Sequence, residues 1–482
     1  MKLRKTILCT ILVACFGQAA GAVSDFEQMV ESLNKNSIPL VNLTFDGTVN
    51  KDDYIRGTIE IVDYQKRNIS ASLSVKYNCM IKYRGASSVN YSKKPFSVKL
   101  INAYGDETQF SILGMRQDDT WILDAMAIDR IRMRNRVCYD IWNRMSKAPY
   151  DTDYDNRNGT TGVFVELFLN GSYYGLYCLS DDINRKLLGL TKTKSDDNVK
   201  GLMYKGVSWE GGYNLMAYNN DRTDTVRWNC FELSYPSDYP SDNTWKPLKD
   251  LIDFCSDDTD NATYATNWQN HFYKRNLVEY FVFTMALNVG DNLYKNTFLS
   301  AVDISNDQRF LITPWDMDMA LGGNYDGNRY EKPAKITSYN YKAPYNRILP
   351  YNMDNIQQDI KDLWYELKDG LLSAEHVDSI LDSYADMFEK SGAWARECSK
   401  WNFNPVPLSQ SVWDELEYVK SNYRSNFEQL DAQMRTLTDV LPIQPDKYYS
   451  PIYRINGTKA DDNPDNLPKG LYLIENRKVL IK

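Results

Sequence analysis

Apolar and polar residues alternate along Pro39-Leu40-Val41-Asn42-Leu43-Thr44-Phe45 and again along Ser97–Ile101. Successive side chains of a strand point to opposite faces, so residues 38–110 are predicted to be strand-rich. Between 129 and 145 the pattern changes, with Ile131, Val137, Ile141 and Met145 among the apolar positions of a predicted helix. Asn170-Gly171 then separates the runs Val163–Leu169 and Tyr173–Leu179. This pair tolerates the left-handed backbone of a two-residue turn, which predicts a tight β-hairpin. Residues 191–262 are polar, aromatic and without a clear period, and read as an insertion with local structure. Leu277, Tyr280, Phe281, Thr284 and Leu287 recur at helical spacing and predict a helix over about 270–288. Short strands are expected at 296–301 and 309–313, around the turn-like Asp303–Asp307. Segment 373–436 reads as helical, with a stripe of Val377, Ile380, Leu381 and Tyr384 and a long amphipathic helix over 411–435. Pro442 and Pro445 mark a break, and residues 447–482 read as a small β module around Asn456-Gly457 and Pro468-Lys469-Gly470. The class is therefore α+β, without internal repeats.

The first 22 residues have the form of a signal peptide: basic Lys2, Arg4 and Lys5, an apolar run from Ile7 to Phe16, and small residues at Ala20-Gly21-Ala22. Cleavage is expected after Ala22. Leu12-Val13-Ala14-Cys15 offers a second processing route, with a lipid anchor on Cys15. Either way an exported bacterial protein is expected, periplasmic, cell-surface or secreted. No later apolar run approaches the roughly 18 residues that a membrane span needs. The formal net charge of −8 excludes general affinity for nucleic acid, which needs a basic surface. Hydrophobic residues at 43% supply a sizeable core without staples. The chain has two histidines, His271 and His376, and neither lies in a nucleophile motif. Chemistry must then rest on carboxylates, Lys, Arg and Asn. Six cysteines follow the leader without a CxxC pair, and several are expected to be buried thiols.

That chemistry concentrates in two segments. Asp291-Asn292-Leu293-Tyr294-Lys295-Asn296 follows the predicted helix, and Pro314-Trp315-Asp316-Met317-Asp318 follows the two short strands. A hairpin between them would set the loops side by side. The order of helix, Asp…Asn loop, hairpin and Asp is that of a phosphotransferase catalytic loop and metal motif. In such a site a carboxylate accepts the proton of the incoming hydroxyl, while an amide oxygen and a second carboxylate hold Mg²⁺, a hard cation. Asp291 is the expected base, Lys295 steadies phosphate charge, and Asn296 and Asp316 are the expected metal ligands, with Asp318 either a further ligand or a helix-entry carboxylate.

Block after block, residues 38–436 resemble the CotH kinase family, known from spore coats. The blocks are Thr44-Phe45-Asp46; Arg84-Gly85-Ala86-Ser87-Ser88 with Lys93-Lys94-Pro95-Phe96; Trp121-Ile122-Leu123 with Arg134-Asn135; the hairpin Val165–Tyr177; and the two loops above. The resemblance implies a bilobal, atypical protein-kinase-like fold, with a β-rich N-terminal lobe and a mostly helical C-terminal lobe. It further implies transfer of the γ-phosphoryl group of ATP, with Mg²⁺, to Ser or Thr of a protein or peptide substrate. Arg84 and Lys94 are then expected at the nucleotide phosphates, with Lys99 and Lys205 as competing lysines and Phe310 as an adenine-stacking residue. Arg134 and Asn135 either link their helix to the site or pair within the fold. Two departures stand out: Asp181 where the family often has Glu, and Arg132 where it often has Lys. The alternative function is a non-catalytic surface, adhesion or glycan-binding protein on the same fold. The final residues, Leu467–Ile474 and Lys478–Lys482, resemble the end of a type IX secretion sorting domain.

Overall fold

The computed structural model describes residues 23–208, 214–218, 226–293 and 295–437, residue 460, and the backbone of three short strands within 453–481. The expected leader with Cys15, and the tail turns at Asn456-Gly457 and Pro468-Lys469, lie outside the described residues.

Helix α1 (Asp25–Glu31) starts at a capping box, in which the Ser24 hydroxyl accepts from Glu27 N–H and the Glu27 carboxylate accepts from Ser24 N–H. Its Phe26 packs on Phe168, Leu40 and Val62. Four strands follow as an antiparallel meander: β1 (Leu40–Phe45), β2 (Ile55–Val62), β3 (Ser74–Tyr83) and β4 (Phe96–Ile101). After the small ribbon β5 (Phe110–Ser111) and β6 (Gln117–Asp118), strand β7 (Thr120–Asp124) pairs with β4. Helix α2 (Arg134–Met145) precedes the expected hairpin, β8 (Gly162–Leu169) and β9 (Ser172–Asp181). Strand β9 joins β7, and β8 runs parallel to β1 with Leu40 opposite Glu166, so seven strands close a barrel in the order β1-β2-β3-β4-β7-β9-β8. Alternation sends Leu43, Ile59, Ile81, Val98, Trp121 and Leu179 to a shared core. The parallel β1–β8 closure joins strands far apart in the chain, and local periodicity carries no trace of it.

Strands β10 (Leu202–Gly206), β11 (Arg227–Trp228) and β12 (Phe231–Tyr235) come next, then helices α3 (Asp242–Cys255), α4 (Asn261–Asn267) and α5 (Lys274–Ala286). With β13 (Thr297–Ala301) and β14 (Leu311–Pro314) the strands form a five-stranded sheet ordered β11-β12-β10-β13-β14. Segment 191–262 is therefore woven into the fold, because β10 lies between β12 and β13. Five residues paired on both sides show no readable alternation, which is why the segment looked irregular. Helices α6 (Tyr345–Ile348), α7 (Ile356–Leu367), α8 (Ala374–Lys390), α9 (Ala393–Trp401) and α10 (Val412–Thr436) complete the helical part. Helix α5 is apolar nearly all round, as its burial requires, and lies against α7, α10 and β14. Strands β15 (Tyr453–Arg454), β16 (Gly470–Ile474) and β17 (Arg477–Ile481) pair antiparallel at the C-terminus. Among the described residues no helix is long and apolar enough to cross a membrane.

One helix reaches the barrel through the hairpin. Gly175 in β9 has φ +138°, and a Cβ there would lie 2.7 Å from Trp401 Nε1 and 2.8 Å from Glu397 Oε2, both on α9. Beneath it a buried ion cluster joins three segments. Glu397 Oε1 accepts from Lys93 Nζ at 2.5 Å and Arg132 Nε at 2.8 Å, while Oε2 accepts from Leu176 N–H at 2.8 Å. All three charged side chains are 0% exposed.

Candidate functional site

Helix α5 ends at Ala286, and a single 3₁₀ turn, Gly290–Leu293, carries Asp291. Strand β13 begins at Thr297 and pairs with β14, Thr297 opposite Pro314, which brings Asn296 beside the Trp315-Asp316 turn. Three bonds fasten these loops. Trp315 N–H donates to Asn296 O at 2.9 Å, and Asn292 Nδ2 donates to Asn296 O at 2.7 Å and Trp315 O at 3.0 Å. Asn296 N–H reaches Gly206 O at 3.1 Å, tying the same point to β10. Asn296 and Asp316 both have φ +56°, a left-handed conformation uncommon in residues other than glycine and concentrated at functional sites.

Asn296 Nδ2 donates to Asp291 Oδ2 at 2.7 Å, and Lys295 Nζ lies 3.4 Å from the same oxygen. Asn296, Lys295, Asp316 and Asp318 line a cleft of about 170 Å³ whose other walls come from Arg84–Ser88, Asp124–Asp129 and Lys205. A neighbouring cavity of about 380 Å³ shares Arg84, Lys205 and Trp315 with it and adds Asp182, Ile183, Met203, Tyr235 and Phe298. The two cations at the junction lie over one indole: the Arg84 guanidinium 5.3 Å from the Trp315 ring centre and Lys205 Nζ 5.2 Å from it.

The electrostatics are those of crowded carboxylates with cations at one end. Burial raises the pKa of Asp316, and Asp124 adds to it, while Lys205, Lys295 and Arg84 pull the other way. Asp318 is pushed well above the usual carboxylate range by burial, then by Asp316, Asp124 and Asp291. Lys205 is lowered by burial and by Arg84, against the attraction of Asp316, Glu232 and Asp182. Among the described residues no three His, Cys, Asp or Glu side chains stand close enough to hold a metal ion alone. The donor set still fits Mg²⁺, which takes one or two carboxylates and completes its shell with water and substrate phosphates. Asp316, Asp318 and the Asn296 amide supply hard oxygens in one cleft, and the mutual repulsion of the acids is what a divalent cation relieves.

Arg84, Lys295, Asn296, Asp316 and Asp318 thus come together around one cleft. Asp291 adjoins it from behind Asn296 and Lys295, 3% exposed, and is not itself a wall residue. Two expected nucleotide contacts lie elsewhere. Lys94 Nζ donates to Val89 O at 2.6 Å and lines neither cavity, because its loop turns the side chain back on itself. Phe310 is 2% exposed and packs near Tyr204, its ring centre 6.1 Å away, at a separate surface depression beside His271. It lies just before β14, bridged to Phe272, in a core position. Asp181 is also turned from the cleft, accepting from Arg116 Nε at 2.7 Å and Thr161 N–H at 2.7 Å. Its neighbour Asp182 faces the larger cavity, held above the ordinary range by burial against the pull of Arg84 and Lys205. Arg132 is structural: its Nη1 donates to Met126 O, Ala127 O and Asp129 O, bracing a cleft wall with a fork that a lysine lacks. Asp124 and Asn292 were missed by sequence reasoning. The available signal for Asp124 was an acid closing an apolar strand, Trp121-Ile122-Leu123-Asp124, at the barrel rim.

Comparison with known families gives a match to the CotH kinase protein family over residues 81–436, more than half of the chain. Curated proteins compared in the same way give no match. The matched span contains the Arg84 turn, the hairpin, the Asp291 loop and the Asp316 loop, and the chain belongs to the CotH kinase family.

Proposed function

We propose that this chain is an exported protein kinase that transfers the γ-phosphoryl group of ATP to Ser or Thr of a protein substrate. The barrel and the helical part with its sheet act as the two walls of one cleft, in the manner of kinase lobes. The acceptor hydroxyl oxygen bonds to the γ-phosphorus, the bond to the β–γ bridging oxygen breaks, and ADP leaves. Asp291 takes the hydroxyl proton, its carboxylate oriented by Asn296 Nδ2 and Lys295. Asn296, Asp316 and Asp318 hold Mg²⁺, which when bound neutralises phosphate oxygens of the donor. Lys205 and Arg84, at the junction of the two cavities, hold the donor phosphates: Arg84 in its expected role, and Lys205, one of the competing lysines, in place of Lys94. The larger cavity takes the nucleoside, with Phe298, Tyr235 and Ile183 as its apolar surfaces.

The observation that carries this reading is the junction of an acid-and-amide cluster with paired cations in one continuous cleft, within a chain of a kinase family. A crystal grown with Mn²⁺ and a non-hydrolysable ATP analogue tests it. Phosphates against Lys205 and Arg84, with the metal on Asp316, are expected. An empty cleft, together with no calorimetric binding of the analogue, would favour a non-catalytic surface protein.

A further inference from the structure

Helix α2 meets the Asp316 turn at two points, one turn of helix apart. Asn135 Oδ1 accepts from Met317 N–H at 3.1 Å, and the Tyr139 hydroxyl donates to Pro314 O at 3.0 Å. Positions i and i+4 lie one above the other on a helix face, so one face of α2 grips the chain on both sides of Trp315-Asp316. The Asn135 amide is itself fixed, because its Nδ2 donates to Asp124 Oδ2 at 3.1 Å. From the opposite direction Asn292 Nδ2 and Asn296 O hold the Trp315 carbonyl and N–H. Asp316 sits within these bonds in its left-handed conformation, φ +56°. A side chain persists there when its surroundings over-determine it.

The helix is also anchored at its start. Asp129 Oδ2 accepts from Met133 N–H and Arg134 N–H, each at 2.8 Å, Oδ1 accepts from Ile131 N–H at 3.1 Å, and Arg134 pairs with the same carboxylate. Arg134 therefore serves the cap, while Asn135 and Tyr139 face the cleft.

From this geometry we infer that Asn135 and Tyr139 are positioning residues, which hold Asp316 in its left-handed conformation and so set the affinity of the cleft for a divalent cation. The inference rests on the metal assignment of the proposed function. Neither side chain is needed as a ligand: Tyr139 Oη is committed to Pro314 O, and both functions of the Asn135 amide are used. Partners of this kind, one bond behind a ligating carboxylate, typically change metal affinity 10- to 100-fold. Because both contacts serve one turn, their losses should be less than additive.

Trp315, next to Asp316, gives a readout independent of activity. Full-length Asn135→Ala, Tyr139→Phe and the double variant are titrated with Mn²⁺, alone and with ADP, following tryptophan fluorescence, with thermal melts recorded without metal. Tyr139→Phe removes one oxygen and keeps the ring in the core, so it tests the idea even if Asn135→Ala folds poorly. The expected result is Mn²⁺ affinity lowered about ten-fold or more in each single variant, with metal-free melting close to wild type for Tyr139→Phe. Wild-type affinity in Tyr139→Phe and in any folded Asn135→Ala would overturn the inference and leave the proposed function standing. Failure of the wild type to respond to Mn²⁺, with or without ADP, would sink both.

Discussion

Replacing Glu397 with Gln removes the one negative charge, among the described residues, in contact with two cations that are themselves fully buried. Lys93 Nζ keeps its bond to Leu176 O at 2.6 Å, and Arg132 keeps three carbonyls, but neither retains a counter-charge in that cluster. Breaking one partner out of a buried ion cluster typically costs about 3–5 kcal/mol, because the stranded charge cannot rehydrate. The loss is expected in urea unfolding followed by tryptophan fluorescence at neutral pH. It carries a pH signature. Burial opposes ionisation of Glu397, but Lys93, Arg132 and the Leu176 N–H outweigh it and hold its pKa below the ordinary value. A depressed folded-state pKa gives stability that is present above the unfolded value, near 4.3, and is lost as pH falls through the folded one. The gap between wild type and Glu397→Gln should therefore narrow as pH drops below about 4. A loss under about 1 kcal/mol, or a gap independent of pH, would refute the claim that this cluster is closed to water and rests on Glu397.

Other outcomes follow from the cleft and the core. Lys205→Ala should weaken nucleotide binding at least ten-fold by calorimetry, while Lys94→Ala should leave it within two-fold, because only the former faces the cavities. The raised pKa values of Asp316 and Asp318 mean that the unfolded chain releases those protons first. Metal-free protein should therefore lose melting temperature as pH rises from about 4 through the raised values, and Mg²⁺ at the same pH should restore it. Burial pushes the thiols of Cys79, Cys178 and Cys255 up to about 12 and that of Cys398 to about 11, so mass spectrometry after native alkylation should find all four unmodified, and labelled only after denaturation.

What the sequence disclosed, and what it hid, follows the range of the interactions. The hairpin of β8 and β9 was legible because Asn170-Gly171 encodes its turn locally, and α5, α8 and α10 because each is long enough to show a period. The Asp291 and Asp316 loops were legible as a pair because one short hairpin joins them. Barrel closure by β1 and β8 was not, since nothing in either strand names its partner. Lysines posed the hardest reading. Lys93, Lys94 and Lys205 are chemically alike, and only the fold sends the first to Glu397, the second to Val89 O and the third over Trp315. Phe310 failed for the opposite reason: an aromatic beside an apolar strand has a core role as its default, and the fold gives it one.

The most direct test is phosphate transfer by purified wild-type protein, Asp291→Ala and Asp316→Ala, each with γ-labelled ATP, Mg²⁺ and a Ser/Thr-containing protein acceptor. The account predicts label on the acceptor with wild type alone, abolished by chelation of the cation. Equal background from all three proteins, or undiminished transfer by either variant, would contradict it.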